Sequence, residues 1–255
     1  MKEARPQRTA LALLCLSLWL GSHQPVRADD SPLSLRIQLD AGVGTHSSSL
    51  PGVNGTRRID PAWFPLAGFR LMGLQAYGAP LRFGAELTYV SSTAFEVSRA
   101  LEQGHARAQE LNVLGRVAFA LDDRPKPILV PISLGYGFDA FTTDIPLGGA
   151  QPYLLSGPRV AVGIELPLWA ERVNIAGRVE LGANITDTAA LRSAGASGSG
   201  VQYAFQAEAD VQLTELLRLG VRFRQAEAQL PVSSSGSFHE QRRFILASLM
   251  LRSPR

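Results

Sequence analysis

Apolar and polar residues alternate with a period of two through most of this chain. In 201–213 every second residue from Val201 is apolar: Val201, Tyr203, Phe205, Ala207, Ala209, Val211 and Leu213. Between them lie Gln202, Ala204, Gln206, Glu208, Asp210 and Gln212. This period belongs to a β-strand and not to a helix. At about 3.3 Å per residue such a strand reaches roughly 40 Å, longer than most soluble sheets use. It suits a tilted strand that crosses a bilayer, where about 9–11 residues cover the hydrocarbon. The pattern recurs at 33–43, 81–89, 109–121, 128–140, 159–166, 173–185 and 218–228. Segments 68–77 and 242–251 are apolar on both faces and count as strands by their position. The total is ten strands, with eight as the nearest alternative.

The connections carry a second pattern. Long segments (44–66, 90–108, 141–158, 186–200, 231–241) alternate with short ones (78–80, 122–127, 167–172, 214–217). In an up-and-down meander this places every long connection at one end and every short turn at the other. Outer-membrane barrels have that asymmetry. Aromatic residues sort in the same way. Tyr89, Tyr136, Phe138, Tyr203, Phe205 and Phe244 fall near the long-loop ends of their strands, and Tyr77, Phe119 and Trp169 near the short-turn ends. Two rings of aromatics mark the two interfaces of a membrane barrel.

Alternation does not by itself say which face is inside. The polar sets decide for an inverted barrel, polar within and apolar without. They combine small residues with opposite charges: Arg82 with Glu86, Arg178 with Glu180, and Glu208 and Asp210 opposite Arg222 and Arg224. Lysine, common on solvated surfaces, is reduced to Lys126 beyond residue 28. Arginine in a confined polar lumen makes fixed bonds to carboxylates. The lumen is therefore expected to hold Arg36, Arg82, Glu86, Glu110, Arg116, Arg178, Glu180, Glu208, Asp210, Arg222 and Arg224 as a charge network. Strand glycines such as Gly137 and Gly182 fit tight curvature. Pro131 lacks a ladder donor and predicts a bulge or local break.

Composition changes the picture at the N-terminus. Lys2, Arg5 and Arg8 precede the apolar run 9–20, and Val26-Arg27-Ala28 offers a cleavage site. Residues 1–28 read as a secretory signal peptide and 29–255 as one barrel domain. The leader holds Cys15, the one cysteine of the chain. Without it, disulfide and thiolate chemistry are excluded. The formal charge of +3 also vanishes, because residues 29–255 hold 21 basic and 21 acidic residues. No basic footprint for nucleic acid remains. Scattered His46, His105 and His239 do not form a zinc motif.

In its leader, its ten alternating segments and its loop pattern, the chain resembles the small bacterial outer-membrane β-barrels. The resemblance implies an all-β, up-and-down antiparallel transmembrane β-barrel in the outer membrane of a Gram-negative bacterium. Its partners would be membrane lipid and the barrel insertion machinery, with no cofactor. Members commonly end on an aromatic residue; here the last strand stops near Leu251, and Phe244, Leu246 and Met250 are the hydrophobic set left to carry that signal. Ten-stranded barrels include surface proteases resembling the omptins, with aspartates and an aspartate–histidine pair at the rim. Rim candidates here are His46, His105, His239, Asp139, Asp144 and Asp187, and Ser233, Ser234, Ser235 and Ser237 lie near His239. Their spacing sets up no base with its orienter, so no enzymatic activity is expected. Three readings stay open: a structural or surface-interaction barrel, a narrow channel for small solutes, and a soluble periplasmic barrel binding an apolar ligand.

Overall fold

The computed structural model describes residues 33–52, 55–76, 80–99, 102–124, 126–144, 153–169, 172–186, 198–232 and 236–252. The leader 1–28, Tyr77, Asp187 and Ser233–Ser235 lie outside them.

The strands are β1 (Ser34–Gly52), β2 (Gly55–Ala76), β3 (Leu81–Ser92), β4 (Phe95–Arg99), β5 (Glu102–Ala120), β6 (Leu129–Thr143), β7 (Tyr153–Leu168), β8 (Val173–Thr186), β9 (Ser199–Gln212), β10 (Leu217–Val232) and β11 (Gly236–Arg252). Each pairs antiparallel with its chain neighbours. β4 continues β3 after a break at Thr93 and Ala94, and both pair with β5. The wall therefore has ten staves. β1 joins β11 from Arg36↔Arg252 to Ser49↔His239 and closes the cylinder. The fold is an all-β, up-and-down antiparallel closed barrel, as the alternation predicts.

The strands run further than the alternation suggests. Much of 44–66, 90–108 and 231–241, expected as long loops, is strand: β1 and β2 meet at Gly52↔Gly55, and β10 and β11 at Val232↔Gly236. β2, with 22 residues, holds about 70 Å of extended chain. The asymmetry of the two ends thus comes largely from extended staves.

The outer wall carries a belt of apolar side chains. On β1 it is Leu35, Ile37, Leu39 and Val43; on β11 Leu251, Leu249 and Ile245; on β8 Ile175, Val179, Leu181 and Ile185, all exposed. Tyr136, Tyr203 and Phe205 border it toward the extended end, and Phe119 and Trp169 toward the short-turn end, also exposed. Such a surface is stable against lipid and unfavourable in water. Trp169 takes a left-handed φ of 46° in its turn, held by an Arg172 N–H to Trp169 carbonyl bond of 3.0 Å.

Two expectations about β11 need correction. Phe244, Leu246 and Met250 are buried in the lumen. The lipid-facing set of this strand is Ile245, Ala247, Leu249 and Leu251, because alternation from Arg252 puts the even positions inside. Phe244 therefore does not belong to the aromatic belt.

Beyond the belt both faces change character. The outward positions of β10 continue from Leu219, Val221 and Phe223 to Gln225, Glu227 and Gln229, while the inward ones become Ala226, Ala228 and Leu230. Phe64, Leu66, Val90, Phe95, Ala106, Ala108, Phe141, Tyr153, Leu155, Leu230 and Phe238 fill this part of the cylinder as one apolar cluster. The barrel is thus inverted within the belt and ordinary beyond it.

Pro131 sits within an unbroken β6. It pairs with Ala118 of β5, and the ladder to β7 lapses at Val130 and Pro131 and resumes at Ile132↔Val162 without a register shift. The missing N–H is accommodated by a local break and not by a bulge. A register shift occurs instead in β1, between His46 and Ser48.

Candidate functional site

The lumen inside the belt is built by inward positions of every stave. Glu86 of β3 is a hub. Its Oε2 lies 3.0 Å from Arg70 Nη2 and its Oε1 2.9 Å from Arg178 Nη1, with Arg116 Nη1 at 3.8 Å. Arg70 reaches on to Glu208 at 2.9 Å, and Arg116 to Glu165. A second knot joins β1 to β10. Arg222 Nη2 donates to Asp40 Oδ2 at 2.5 Å, and Gln38 and Ser248 donate to Asp40 Oδ1 at 2.9 and 2.6 Å. A third lies nearer the belt's upper edge. Arg224 bridges Glu110 at 2.8 Å and Glu180 at 3.2 Å, and Arg242 bridges Asp139 at 2.8 Å and Glu110 at 3.5 Å.

All the expected lumen residues face inward, but several pairings differ from the expectation. Glu208 meets Arg70, and Asp210 meets Arg218, in place of Arg222 and Arg224. Arg222 and Glu208 are backbone partners, yet Arg222 points across to Asp40. Glu86 is held by three arginines other than Arg82. Arg178 and Glu180 do approach, at 3.7 Å. Cross-strand register fixes which residues are adjacent, whereas a long arginine side chain in a narrow cylinder spans to more distant staves. Arg36 and Arg82 line the cavity at the short-turn mouth.

Sequence reasoning misses Arg70, Arg159, Arg218, Arg242, Glu165, Glu240 and Asp40 as members. Arg159 is the most enclosed, with no exposed surface, bonded to Asp139 at 3.1 Å and to Gln202 at 2.7 Å. Gly137 and Gly182 on the flanking staves make this possible. A Cβ on Gly182 would stand 2.3 Å from Arg159 Nη1, and one on Gly137 2.7 Å from Arg159 Nε. These two glycines make room for a guanidinium, a signal visible in sequence as two glycines either side of a buried cation only once the register is known.

The rim candidates divide. Asp139 belongs to the lumen network. His46 lies beyond Val43 on β1 and is wholly buried. It stacks on Phe141 with ring centroids 4.4 Å apart. Tyr153 donates its hydroxyl to Glu240 Oε1 at 2.7 Å and lies 3.3 Å from His46 Nε2. A hydroxyl whose proton is committed to Glu240 accepts from His46, which places the imidazole proton on Nε2 and leaves Nδ1 without a hydrogen-bond partner. Burial, helped by Arg242, drives the His46 pKa down to about 3; burial pushes the Glu240 carboxyl up. His46 is thus enclosed and stacked within the extended section.

His105 and Asp144 do come together, contrary to the expectation from spacing. β5–β6 pairing brings them to adjacent stave tips. The His105 N–H donates to Asp144 Oδ1 at 2.5 Å, and Nδ1 lies 3.4 Å from Oδ2. The His105 backbone bond holds the Asp144 carboxyl below its ordinary range. Both side chains are more than 60% exposed, so the pair is solvated. His239 faces outward beside Gln241, and Ser237 accepts from Gln229 at 3.1 Å. Among the described residues no group of three or more His, Cys, Asp or Glu is placed to hold a metal.

A cavity of about 510 Å³ lies against the extended section, lined by residues that include Ser49, Tyr203, Glu227, Ala228, His239 and Glu240. One cavity of about 80 Å³ opens at the short-turn mouth, and one of about 20 Å³ lies between Arg70, Arg116, Arg178 and Glu208. A water needs about 10–15 Å³ on this measure. The inner cavity therefore holds about one water.

No protein-family model matches the chain, and no curated protein sequence does. Solved structures match in fold. The transport unit of the autotransporter AIDA-I from Escherichia coli aligns with a TM-score of 0.50 and 11% identity, over 99% of this chain and 100% of that one. The outer membrane protease OmpT from Escherichia coli aligns at 0.49 and 9%, over 91% and 99%. The translocator domain of the autotransporter NalP from Neisseria meningitidis aligns at 0.44 and 12%, over 96% and 97%. By its fold and its lipid-facing belt, the chain is a membrane-embedded barrel of the bacterial outer-membrane type.

Proposed function

We propose that this protein is a non-enzymatic structural or surface-interaction barrel of the outer membrane, with a lumen that does not conduct. The observation that carries this reading is the two-layer filling of the cylinder. Within the belt, Arg and Glu side chains neutralise one another across the lumen. Beyond it, the Phe64–Phe141–Leu230 cluster closes the bore with apolar side chains. A permeant ion would have to break the first layer and desolvate in the second. The wall beyond the belt, with Gln225, Glu227, Gln229, Gln241 and Arg107 facing outward, is then the surface offered to the cell exterior. Membrane lipid and the insertion machinery are its expected partners. The His105–Asp144 pair does not alter the reading, since both side chains are largely exposed to solvent.

Planar-bilayer recording tests it. Purified barrel should give no steady, reproducible openings at moderate voltage. Unitary currents of constant amplitude would overturn the proposal and favour a narrow channel for small solutes.

A further inference from the structure

The cavity of about 510 Å³ on the extended section spans four staves, β9, β10, β11 and β1. Ladder pairing lays its outward residues in two rows: Tyr203, Glu227, Gln241 and Ser47, then Gln229, His239 and Ser49. Ser48, Ala228 and Glu240 lie between them in the chain and complete the lining. The β1–β2 register shifts beside Ser47. Such irregularities bend and twist a strand and re-aim its side chains, which gives a convex wall its hollow. The volume falls within the range of ligand pockets, about 300–1,000 Å³.

At the centre is a carboxylate held in place. Glu227 Oε1 accepts from Gln241 Nε2 at 2.7 Å and from Gln225 Nε2 at 2.9 Å, and Oε2 accepts from the Tyr203 hydroxyl. A carboxylate offers about four acceptor positions, so one stays open on Oε2. Its geometry is fixed before any ligand arrives, which lowers the ordering cost of binding. Around it the amides of Gln229 and Gln241 and the hydroxyls of the three serines can both donate and accept. Tyr203, nearly half exposed, and His239, also exposed, add ring surface. Among the described lining residues there is no lysine or arginine. Arg243, one row nearer the belt, already balances Glu227 electrostatically, and Arg242 Nε lies 3.4 Å from Glu240. The hollow therefore favours neither an anion nor a cation. Mixed donors and acceptors beside ring faces match a sugar, whose hydroxyls bond in both senses and whose C–H face is apolar.

The ladder also sets the height of the hollow. Phe223, Ile245 and Val43 form one row of the belt, and Gln225, Arg243 and Thr45 form the next. The cavity begins one row further. Two rows are about 13 Å of strand, or about 10 Å of height when tilted. The headgroup layer is only about 5–8 Å deep on each side of the hydrocarbon.

We propose that this cavity is a binding site for a neutral saccharide arriving from the aqueous side of the membrane, with Glu227, Gln229 and Gln241 bonding its hydroxyls and Tyr203 and His239 contacting its ring faces. The site deepens the surface-interaction reading above and rests on it, since it names the class of partner that the outer wall takes.

The test titrates the full chain, folded in a detergent without sugar groups, with cellotriose, maltotriose and chitotriose. Calorimetry should show saturable binding of at least one of them, with a Kd of about 1 mM or tighter. Glu227→Gln should weaken it about tenfold, the loss expected of one hydrogen bond to a charged group. His239→Ala should weaken it severalfold, and Arg107→Ala, on the outer face of β5, should bind as the wild type does. The heat-induced gel shift verifies that each variant is folded. Absence of saturable binding of all three sugars would overturn the site, and so would unchanged affinity in both folded cavity variants. Binding of octyl glucoside with no response to the free trisaccharides would assign the cavity to a lipid headgroup and also overturn it. A barrel silent in bilayer recordings that binds no sugar loses this site and keeps the closed-lumen reading; one that conducts and binds loses that reading and keeps the site.

Discussion

Within its apolar belt this barrel is charged inside and greasy outside; beyond the belt it is greasy inside and polar outside. The same staves build both sections. On β11, Ser248 bonds Asp40 inside while Leu249 faces lipid, and ten residues back Phe238 is inside while His239 faces water. The solvent around the wall sets the difference. Lipid demands an apolar exterior, which leaves the interior to polar groups that must then satisfy one another. Water demands a polar exterior, and the interior returns to ordinary hydrophobic packing. One section is held by directional bonds between charges and the other by area removed from water. They should fail in different ways.

The largest effect expected is at Glu86. Glu86→Ala leaves Arg70, Arg116 and Arg178 without their shared carboxylate in a desolvated lumen. Breaking a buried ionic cluster on one side costs about 3–5 kcal/mol. The urea midpoint of the heat-modifiable form should drop accordingly, as one transition for the whole barrel. Phe141→Ala should cost about 3 kcal/mol by removing the ring that stacks on His46 and Tyr153. Its effect should stay in the extended section. Hydrogen exchange should quicken at the tips of β5, β6 and β7 and remain slow within the belt; equal acceleration in both sections would erase the comparison.

Gly182→Ala should cost about 1–3 kcal/mol by overpacking Arg159. The same change at Gly177, where an added Cβ meets nothing, should be close to neutral by the same urea measurement. The pH response should be smaller still. Unfolded His46 takes a proton near 6.5, and the folded residue resists to about 3. The unfolded state binds more protons between those values, so the extended section loses stability as pH falls from about 6.5 toward 3 and is indifferent to His46 above it. Glu240, raised by burial, acts in the opposite sense, losing its contribution as pH rises above the ordinary carboxylate range. Exchange rates at pH 7 and pH 5 in wild type and His46→Phe isolate the histidine; persistence of the slope in the variant would assign it elsewhere. The smallest effect is Tyr203→Phe, which removes the hydroxyl bond to Glu227 on the outer wall and should change stability by less than about 1.5 kcal/mol.

Most of the inverted section is legible in the sequence, because alternation, strand number and the inward polar sets follow from a period of two. The extended section is not, and the reason is a change of phase. In RQAEAQLPV, 224–232, alternation continues past Phe223, but the apolar positions move from the odd to the even residues. Judged by a fixed lipid face, that inversion looks like the end of a strand. The same inversion makes His46 look like a residue of an open rim. The lumen partners are hidden differently. Arg70–Glu208 and Arg222–Asp40 join residues 138 and 182 apart, and which stave faces which across a cylinder depends on the closed register, not on any local pattern.

The seam between β1 and β11 carries a consequence for how the protein is made. Its partners, such as Arg36 and Arg252, stand at the two ends of the described chain. Until the last stave has been synthesised, β1 has no mate on that side, and its free N–H and C=O groups are a template for any other strand. Contacts of such sequence separation also form slowly. A chain truncated before β11 should therefore not yield a smaller barrel but an open sheet that aggregates or is degraded, which makes completion of the C-terminal strand the committing event of its biogenesis.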